Sequence, residues 1–183
     1  NEIEGGDYLM VVRNNYFWLE EDSKAGFIAN GDLIRIVRIR KTEEMYGFQF
    51  ADAEIELLDY PEEKEIEVKL LLNTLTAEGP SLSRTDYNDL FNRVEEDYAD
   101  IPERRKRVDK IMKNPWFNAL QVKFAYAMTC HKTQGGQWPL VIVDQGYLTD
   151  EMMGVEYQRW LYTAITRSTD KVFLVNFKGD FFG

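Results

Sequence analysis

Three short apolar segments alternate with polar, helix-compatible segments between residues 122 and 177. The first apolar segment begins at Val122, the second covers Pro139–Asp144, and the third covers Lys171–Phe177. This alternation is typical of strands in a buried parallel sheet with crossover helices. Such sheets carry their functional residues on loops that leave the carboxyl ends of the strands. The loop after the first predicted strand is rich in polar side chains: Thr129, His131, Lys132, Thr133 and Gln134.

The first 76 residues show a different pattern, in which apolar and polar positions alternate over short stretches separated by turn residues. The clearest turn is Asn30-Gly31-Asp32, since Asn and Gly tolerate positive φ. Several short strands at this spacing predict a compact antiparallel barrel over residues 1–76. The predicted strands are Tyr8–Val12, Leu33–Ile39, Tyr46–Phe50, Ala53–Leu58 and Glu65–Leu71.

Helical periodicity begins after Pro80 and predicts a helical insertion over residues 77–118. Ser83 and Asp86 have the spacing of a capping box, and Pro102 restarts a basic helix that Asn114-Pro115 ends. Residues 119–183 are then the predicted parallel-sheet domain. Its second helix is expected to have its cap and first turn at Thr149–Glu151, with one buried stripe: Tyr157, Leu161, Ala164, Ile165 and Ser168.

Composition limits the classes of function. No apolar run approaches the roughly 20 residues of a membrane helix, and no signal peptide is visible, so no membrane partner is predicted. Cys130 is the single cysteine of the 183 residues, which excludes an internal disulfide and a zinc–cysteine cluster. A reducing, cytoplasmic location is expected, and no metal site is predicted.

The formal net charge of −10 makes non-specific electrostatic attraction unsuitable as a way to bind nucleic acid. Any such binding must use donors fixed locally. The acidic run over residues 43–67 and the basic run Arg104–Arg107 are both interpreted as solvated surface in preference to contact sites. The aromatic cluster Tyr16–Trp18 either stacks on exposed bases or packs a barrel core, and packing is favoured.

Two strings in the C-terminal third resemble a known family. Ala127–Gly135 (AMTCHKTQG) and Tyr162–Arg167 (YTAITR) occur in the order of motifs V and VI of superfamily 1 helicases, in the RecD-like group. The Gly6-Asp7, Asn14-Asn15 and Asn30–Asp32 stretch also resembles the start of the SH3-like barrel (2B-type) inserted in that group's second motor domain (2A-type). The resemblance implies an α/β fold. It combines part of a RecA-like parallel sheet with crossover helices, a small SH3-like antiparallel barrel and a helical insertion.

The resemblance also implies a nucleotide site. Arg167 would supply the arginine finger that stabilises charge on a transferring phosphoryl group, supported by Tyr162 and Thr166. The implied nucleotide-binding residues are Gln134, Gly135, Gln137, Tyr162 and Arg167. Gln137 departs from the glutamate that is frequent in the broader family, which weakens any ribose contact. Spacing alone favours a simpler interpretation, in which Arg167 complements a helix dipole.

The motif V loop implies contacts with the phosphates of single-stranded DNA. The implied DNA-binding residues are Thr129, His131, Lys132 and Thr133, whose side chains are suited to donate hydrogen bonds to phosphate oxygens. Phosphate contacts barely register the sugar, so an RNA-directed motor stays open.

The parts of a motor that the sequence lacks are equally informative. The sequence contains no G-x-x-x-x-G-K-[S/T] string, which would form a phosphate loop, and no predicted strand that ends in Asp-Glu. The expectation is therefore a C-terminal fragment that binds no cofactor tightly. ATP with Mg²⁺ would be bound only in an intact parent, where a missing N-terminal RecA-like domain holds the metal. The expected partners are that domain and single-stranded DNA, and the isolated chain is predicted to be inactive. The alternative class is a non-enzymatic module that binds single strands or a protein through the barrel and Tyr16–Trp18.

Overall fold

Five strands close into a barrel in the computed structural model, which describes residues 3–181. The chain divides into two compact units, residues 1–126 and 127–183, and the barrel belongs to the first. Its order is β1-β2-β3-β4-β5, with antiparallel neighbours except for the parallel pair β4–β5. The strands are β1 (Tyr8–Val11), β2 (Leu33–Met45), β3 (Phe48–Leu57), β4 (Ile66–Leu71) and β5 (Leu120–Phe124). The predicted small barrel is confirmed, as a mixed sheet.

β5 corrects the prediction that the segment at Val122 opens the parallel sheet. Val122 lies opposite Val11 of β1, and Leu120 lies opposite Leu70 of β4. The buried Thr74 hydroxyl is 2.8 Å from the Leu71 carbonyl and accepts the Val122 N–H at 3.0 Å. A five-residue apolar run fits either sheet by its pattern, and only these long-range contacts assign it to the barrel.

The β2–β3 turn was also missed, because the residue at its first position is unusual. Tyr46 has φ 54° and Gly47 has φ 72°, the backbone of a two-residue hairpin turn. Tyrosine rarely adopts this left-handed conformation, so Tyr46 was assigned to a strand. In the structure β2 extends to Met45, and β3 is one continuous strand where two were predicted.

Three helices pack with the barrel: α1 (Asn73–Thr76), α2 (Arg84–Glu96) and α3 (Arg104–Ile111). The predicted cap is confirmed, since the Ser83 hydroxyl accepts the Asp86 N–H at 3.1 Å. Leu90 and Ile111 are buried in one apolar cluster with Phe50 of the barrel. Removing these apolar faces from water is what holds the helices against the barrel.

The aromatic cluster Tyr16–Trp18 divides between the two expected roles. Trp18 packs against the barrel core, and its indole N–H donates to the Asn118 carbonyl at 2.8 Å. Phe17 meets Trp18 edge to face at 4.9 Å. Tyr16, by contrast, is 72 % exposed. Packing is therefore confirmed for Trp18, and Tyr16 is left at the surface.

Part of the acidic run is not a solvated surface, which corrects that interpretation. The Lys69 side chain is only 6 % exposed and pairs with Asp52 and, at 2.9 Å, with Glu43. Its ammonium also lies 4.8 Å from the centroid of the Trp116 ring, whose N–H donates to Glu43 at 3.0 Å. Glu54, 8 % exposed, accepts hydrogen bonds from two arginines, Arg38 and Arg40. These carboxylates are parts of an ion-pair network on the barrel.

The second unit contains two parallel strands joined through a helix. They are β6 (Trp138–Asp144) and β7 (Ser168–Val175), with α4 (Val155–Ile165) between them. Short 3₁₀ turns cover Cys130–Thr133, Asp150–Met152 and Gly179–Phe181. The parallel pairing predicted for these two strands is present, although a larger RecA-like sheet is not among the described residues.

The helix of this unit starts later than predicted. Gly154 is the N-cap of α4, and the expected first turn at Thr149–Glu151 lies in a separate 3₁₀ turn. The predicted buried stripe is partly present: Tyr157 and Ala164 are buried, whereas Ile165 is 37 % exposed. Two strands offer too little surface to cover the whole stripe. No helix in residues 3–181 combines the length and apolar character needed to cross a bilayer.

Candidate functional site

An exposed 3₁₀ turn, Cys130–Thr133, carries most of the residues predicted to contact phosphate. The Lys132 N–H closes the turn on the Thr129 carbonyl at 2.9 Å. The side chains of Thr129, His131 and Lys132 are exposed and have no hydrogen-bond partner within residues 3–181. The Thr133 hydroxyl donates to the Cys130 carbonyl at 2.7 Å, so its proton is used inside the turn. Three free polar side chains therefore project from one short turn.

Arg167 connects the end of α4 to the loop that follows this turn. Its Nε–H donates to the Thr163 carbonyl at 3.1 Å, and one Nη1–H donates to the Gly136 carbonyl at 3.2 Å. The third bond, from Nη2 to the Thr166 hydroxyl, is 3.2 Å long. A guanidinium has five N–H donors, so two remain available. Arg167 pairs with no carboxylate of the described chain, which leaves its charge uncompensated.

The loop between the turn and β6 depends on two glycines for different reasons. Gly135 has φ +89°, a left-handed conformation that favours glycine, and faces open space. Gly136 has no such torsion, but a Cβ there would lie 2.3 Å from the Trp138 ring. The Trp138 N–H in turn donates to the Arg167 carbonyl at 2.9 Å. The tryptophan ring over Gly136 thus holds the loop close to the α4–β7 corner.

We expect Gly136→Ala to displace the Trp138 ring and to destabilise the second unit by about 1–3 kcal/mol, the usual cost of overpacking. Urea unfolding followed by tryptophan fluorescence measures this change. Gly154→Ala is the matched control, because Gly154 has φ −90° and a Cβ added there would meet no atom within 4 Å. Equal stability of the two variants would show that the ring does not constrain the loop.

Cys130 has a structural contact that the sequence did not indicate. Its thiol lies 3.4 Å from the Trp160 carbonyl of α4, which ties the turn to the helix. Burial raises the pKa of the Cys130 thiol, and the charge of Arg167 opposes that shift only partly. The thiol is therefore protonated at neutral pH and acts as a weak hydrogen-bond donor, in keeping with its predicted inert character.

The other predicted nucleotide-binding residues are at the surface. Gln134 and Gln137 are exposed, and Tyr162 is 69 % exposed with its backbone carbonyl accepting the Thr166 hydroxyl at 2.8 Å. The structure brings Arg167 and Gly136 together, but no hydrogen bond joins the Tyr162 side chain to Arg167. The Gly136–Trp138 pair was missed, although a Gly-Gly followed two residues later by Trp is its signal. Within residues 3–181, His, Cys, Asp and Glu form no group of three suited to a metal ion.

Comparison with known proteins finds a matching family model and a similar solved structure. Residues 124–175 match the model of the UvrD-like helicase C-terminal domain. No curated protein matches the chain. A solved structure, the Pif1 helicase from Candida albicans, aligns with 96 % of the chain at 14 % identity and a TM-score of 0.47. The aligned region covers 32 % of that structure, so the chain spans about a third of its length.

Proposed function

We propose that the chain is the C-terminal part of an ATP-dependent, RecD-like superfamily 1 DNA helicase, and the match of residues 124–175 to the model of the UvrD-like helicase C-terminal domain supports this proposal. The two sequence strings that resemble motifs V and VI both lie inside the matched residues. The turn at Cys130–Thr133 and the end of α4 are the elements that would contact DNA and nucleotide.

One observation carries the proposal: Arg167 is half-buried, positioned by backbone carbonyls and free of any described carboxylate. An arginine with only a capping role would donate its N–H groups to carbonyls at the end of its own helix. The Arg167 Nε–H makes such a bond, to the Thr163 carbonyl. The contact with Gly136 points the group toward the loop after the turn, and two N–H groups stay unused. This geometry supports a guanidinium that meets an incoming phosphate.

The role proposed for Arg167 is electrostatic. As a γ-phosphoryl group transfers, negative charge builds on its oxygens, and a fixed, permanently charged donor fork stabilises that charge. ATP and Mg²⁺ would be held largely by a phosphate loop, which these 183 residues do not contain. Gln134, Gly135 and Gln137 would face the nucleotide from this side. The isolated chain is accordingly proposed to have no ATPase activity.

The turn and the arginine are physically linked, which supports a coupling role. The Gly136 carbonyl that receives Arg167 is three residues beyond the turn that carries His131 and Lys132. A shift of the turn on binding a DNA phosphate would move that carbonyl, and with it the guanidinium. Nucleotide hydrolysis and strand movement would then be coupled through this loop.

The turn is tested with Lys132→Gln in the full-length protein that contains this chain. We expect weaker binding of single-stranded DNA, with a salt dependence reduced by about 0.7 in log–log slope for the one lost phosphate contact. ATP turnover without DNA should be unchanged, while stimulation by DNA falls. Fluorescence anisotropy across a salt series and a coupled ATPase assay measure both quantities.

Lys171→Gln is the charge-matched control for this experiment, since Lys171 is an exposed lysine of β7 outside the turn. An equal loss of affinity and salt slope in both variants would remove the turn from the DNA path. Robust ATP turnover by the isolated 183-residue chain would contradict the proposed division of the motor.

The second candidate is a non-enzymatic module that binds single strands or a protein through the barrel. The exposure of Tyr16 favours it, because a ring 72 % exposed beside a groove is unusual for a residue with only a packing role. An RNA-directed motor is distinguished by comparing DNA and RNA strands in the same binding assay.

A further inference from the structure

A groove of about 660 Å³ opens in the first unit, and none of its lining residues is assigned to the helicase site. We call it the amide groove, because five amide side chains line it. Its lining also includes aromatic and apolar side chains from the barrel loop, α2 and the segment after α3. The volume lies in the usual range for small-molecule pockets, so it accommodates a nucleobase with its sugar. The amides are Asn14, Asn15, Asn30, Asn118 and Gln121.

An aromatic platform forms one wall of the amide groove. Tyr16 stacks on Phe27 with ring centroids 4.8 Å apart and planes at 25°. One face of Tyr16 is thereby supported, and since the residue is 72 % exposed the other face is open. A supported ring with one open face is what a stacked base requires.

Unused hydrogen-bonding groups line the interior. Gln121 is 7 % exposed; its carbonyl accepts the Leu82 N–H at 3.0 Å, while its amide NH₂ has no partner within residues 3–181. Asn118 uses its NH₂ on the Met112 and Asn114 carbonyls, each at 2.9 Å, and its side-chain oxygen accepts from no described group. No fully buried side-chain nitrogen or oxygen lacks a partner among the described residues, so the unpaired Gln121 NH₂ is open to solvent in the groove and is available to a ligand. A free donor and a free acceptor together suit the edge of a base.

The charge of the groove selects the class of ligand. The chain carries 32 Asp and Glu residues, yet none lines the amide groove. Its one charged lining residue is Arg13, whose guanidinium carbon lies 4.3 Å from the Tyr87 ring centroid. Arg13 forms no ion pair with a described residue. A groove with an arginine that has no carboxylate partner favours a phosphate-bearing ligand over a basic peptide.

We propose that the amide groove binds one unpaired nucleotide of single-stranded nucleic acid. The base stacks on Tyr16, its edge meets Gln121 and Asn118, and its phosphate meets Arg13. This site goes beyond the proposed motor and rests on the second candidate function, the binding of single strands through the barrel. All of its residues lie in the first unit, and none belongs to the Cys130–Thr133 turn. It would hold the strand at a second point whether or not the motor assignment is correct.

The test uses the 183-residue chain with fluorescein-labelled dT12 and U12, read by anisotropy. Tyr16→Ala should weaken binding by about 5- to 150-fold, the range for losing one base–aromatic stack. Arg13→Gln should reduce the log–log salt slope by about 0.7. Tyr147→Ala and Arg159→Gln are the matched controls, an 88 % exposed tyrosine and a 72 % exposed arginine side chain of the second unit, and should bind like the parent chain. An equal loss of affinity for dT12 and U12 would mean that the groove recognises the base and the phosphate. A larger loss for one of them would mean that the groove also distinguishes deoxyribose from ribose.

Photocrosslinking with 5-iodouracil in the oligonucleotide locates the contact directly. Crosslinks to Tyr16 or Tyr87 that disappear in Tyr16→Ala support the groove. The proposal is overturned if neither oligonucleotide binds, if a proline-rich peptide protects the groove in their place, or if Tyr16→Ala binds like the parent chain. Crosslinks confined to His131 and its turn, with loss of binding in Lys132→Gln alone, would overturn the groove and leave the proposed function standing. Loss of oligonucleotide binding in Tyr16→Ala, without any effect of Lys132→Gln, would support the groove and contradict the role proposed for the turn.

Discussion

Replacing Arg167 by alanine in the full-length protein should lower the rate of ATP turnover by about 10³–10⁵-fold, the range for removing an arginine finger. The reason is that its guanidinium would stabilise charge that develops only as the phosphoryl group transfers. The turnover number should therefore fall while KM for ATP changes little. Steady-state ATPase kinetics with saturating single-stranded DNA measures both parameters.

Two further variants separate this role from a structural one. Arg167→Lys retains the charge but loses the planar fork, so most of the activity should still be lost. Arg159→Ala is the control on the same helix, because Arg159 is exposed and pairs with Glu156 at 2.8 Å without touching the loop. It should leave turnover unchanged. If Arg167→Ala turns over ATP within threefold of the parent, Arg167 only fastens the end of α4 to Gly136. DNA binding by Arg167→Ala should persist in either case.

Local patterns in the sequence predicted the elements whose stabilising contacts are local. The Ser83–Asp86 cap and the start of β1 at Tyr8 follow from neighbouring residues and agree with the structure. The string at Thr129–Thr133 similarly identified a polar turn, because its residue types are those of an exposed loop. Nothing beyond the short segment was needed for these predictions.

Features that depend on distant contacts were not predictable in this way. β5 joins the barrel because Val122 meets Val11 and Thr74, which are 111 and 48 positions away in the sequence. Tyr46 adopts positive φ where strands β2 and β3 reverse, against its intrinsic preference. The free amide of Gln121 depends on the packing of α2 and β5 together. Tertiary context overrides local preference at each of these positions.

The ion-pair network around Lys69 is a further case, since its members resemble solvated charges in the sequence. Hydrogen bonds from Lys41, and then from Lys69 and Trp116, hold the pKa of Glu43 at about 2. A carboxyl whose pKa is lowered in the folded state stabilises that state while it is charged. Its contribution is therefore complete above a pH of about 4.5, the ordinary value, and is lost as the pH falls toward 2.

We expect Lys69→Met to destabilise the barrel unit by about 2–3 kcal/mol at neutral pH, because it leaves Glu43 and Asp52 without their shared cation. The cost is below that of a fully buried pair, since the Asp52 side chain is 38 % exposed. Lys41→Met is the matched control: Lys41 also pairs with Glu43, at 2.5 Å, but its side chain is 61 % exposed, so water and salt partly replace it and the destabilisation should be smaller. Urea unfolding followed by hydrogen exchange of the barrel amides measures both variants.

The pH dependence distinguishes lost pairing from lost packing in Lys69→Met. Between pH 7 and about 4.5 the difference in unfolding free energy from the parent should be constant. It should shrink as the pH falls from about 4.5 toward 2, because the unfolded chain binds a proton at Glu43 below about 4.5 whereas the folded parent keeps Glu43 charged until about 2. A difference that is unchanged at pH 3 would mean that the lysine acts through its cation–π contact with Trp116 and not through its pairing with Glu43. Equal destabilisation by Lys41→Met and Lys69→Met at neutral pH would contradict the expectation that Lys69 is the cation that contributes most to the stability of the network.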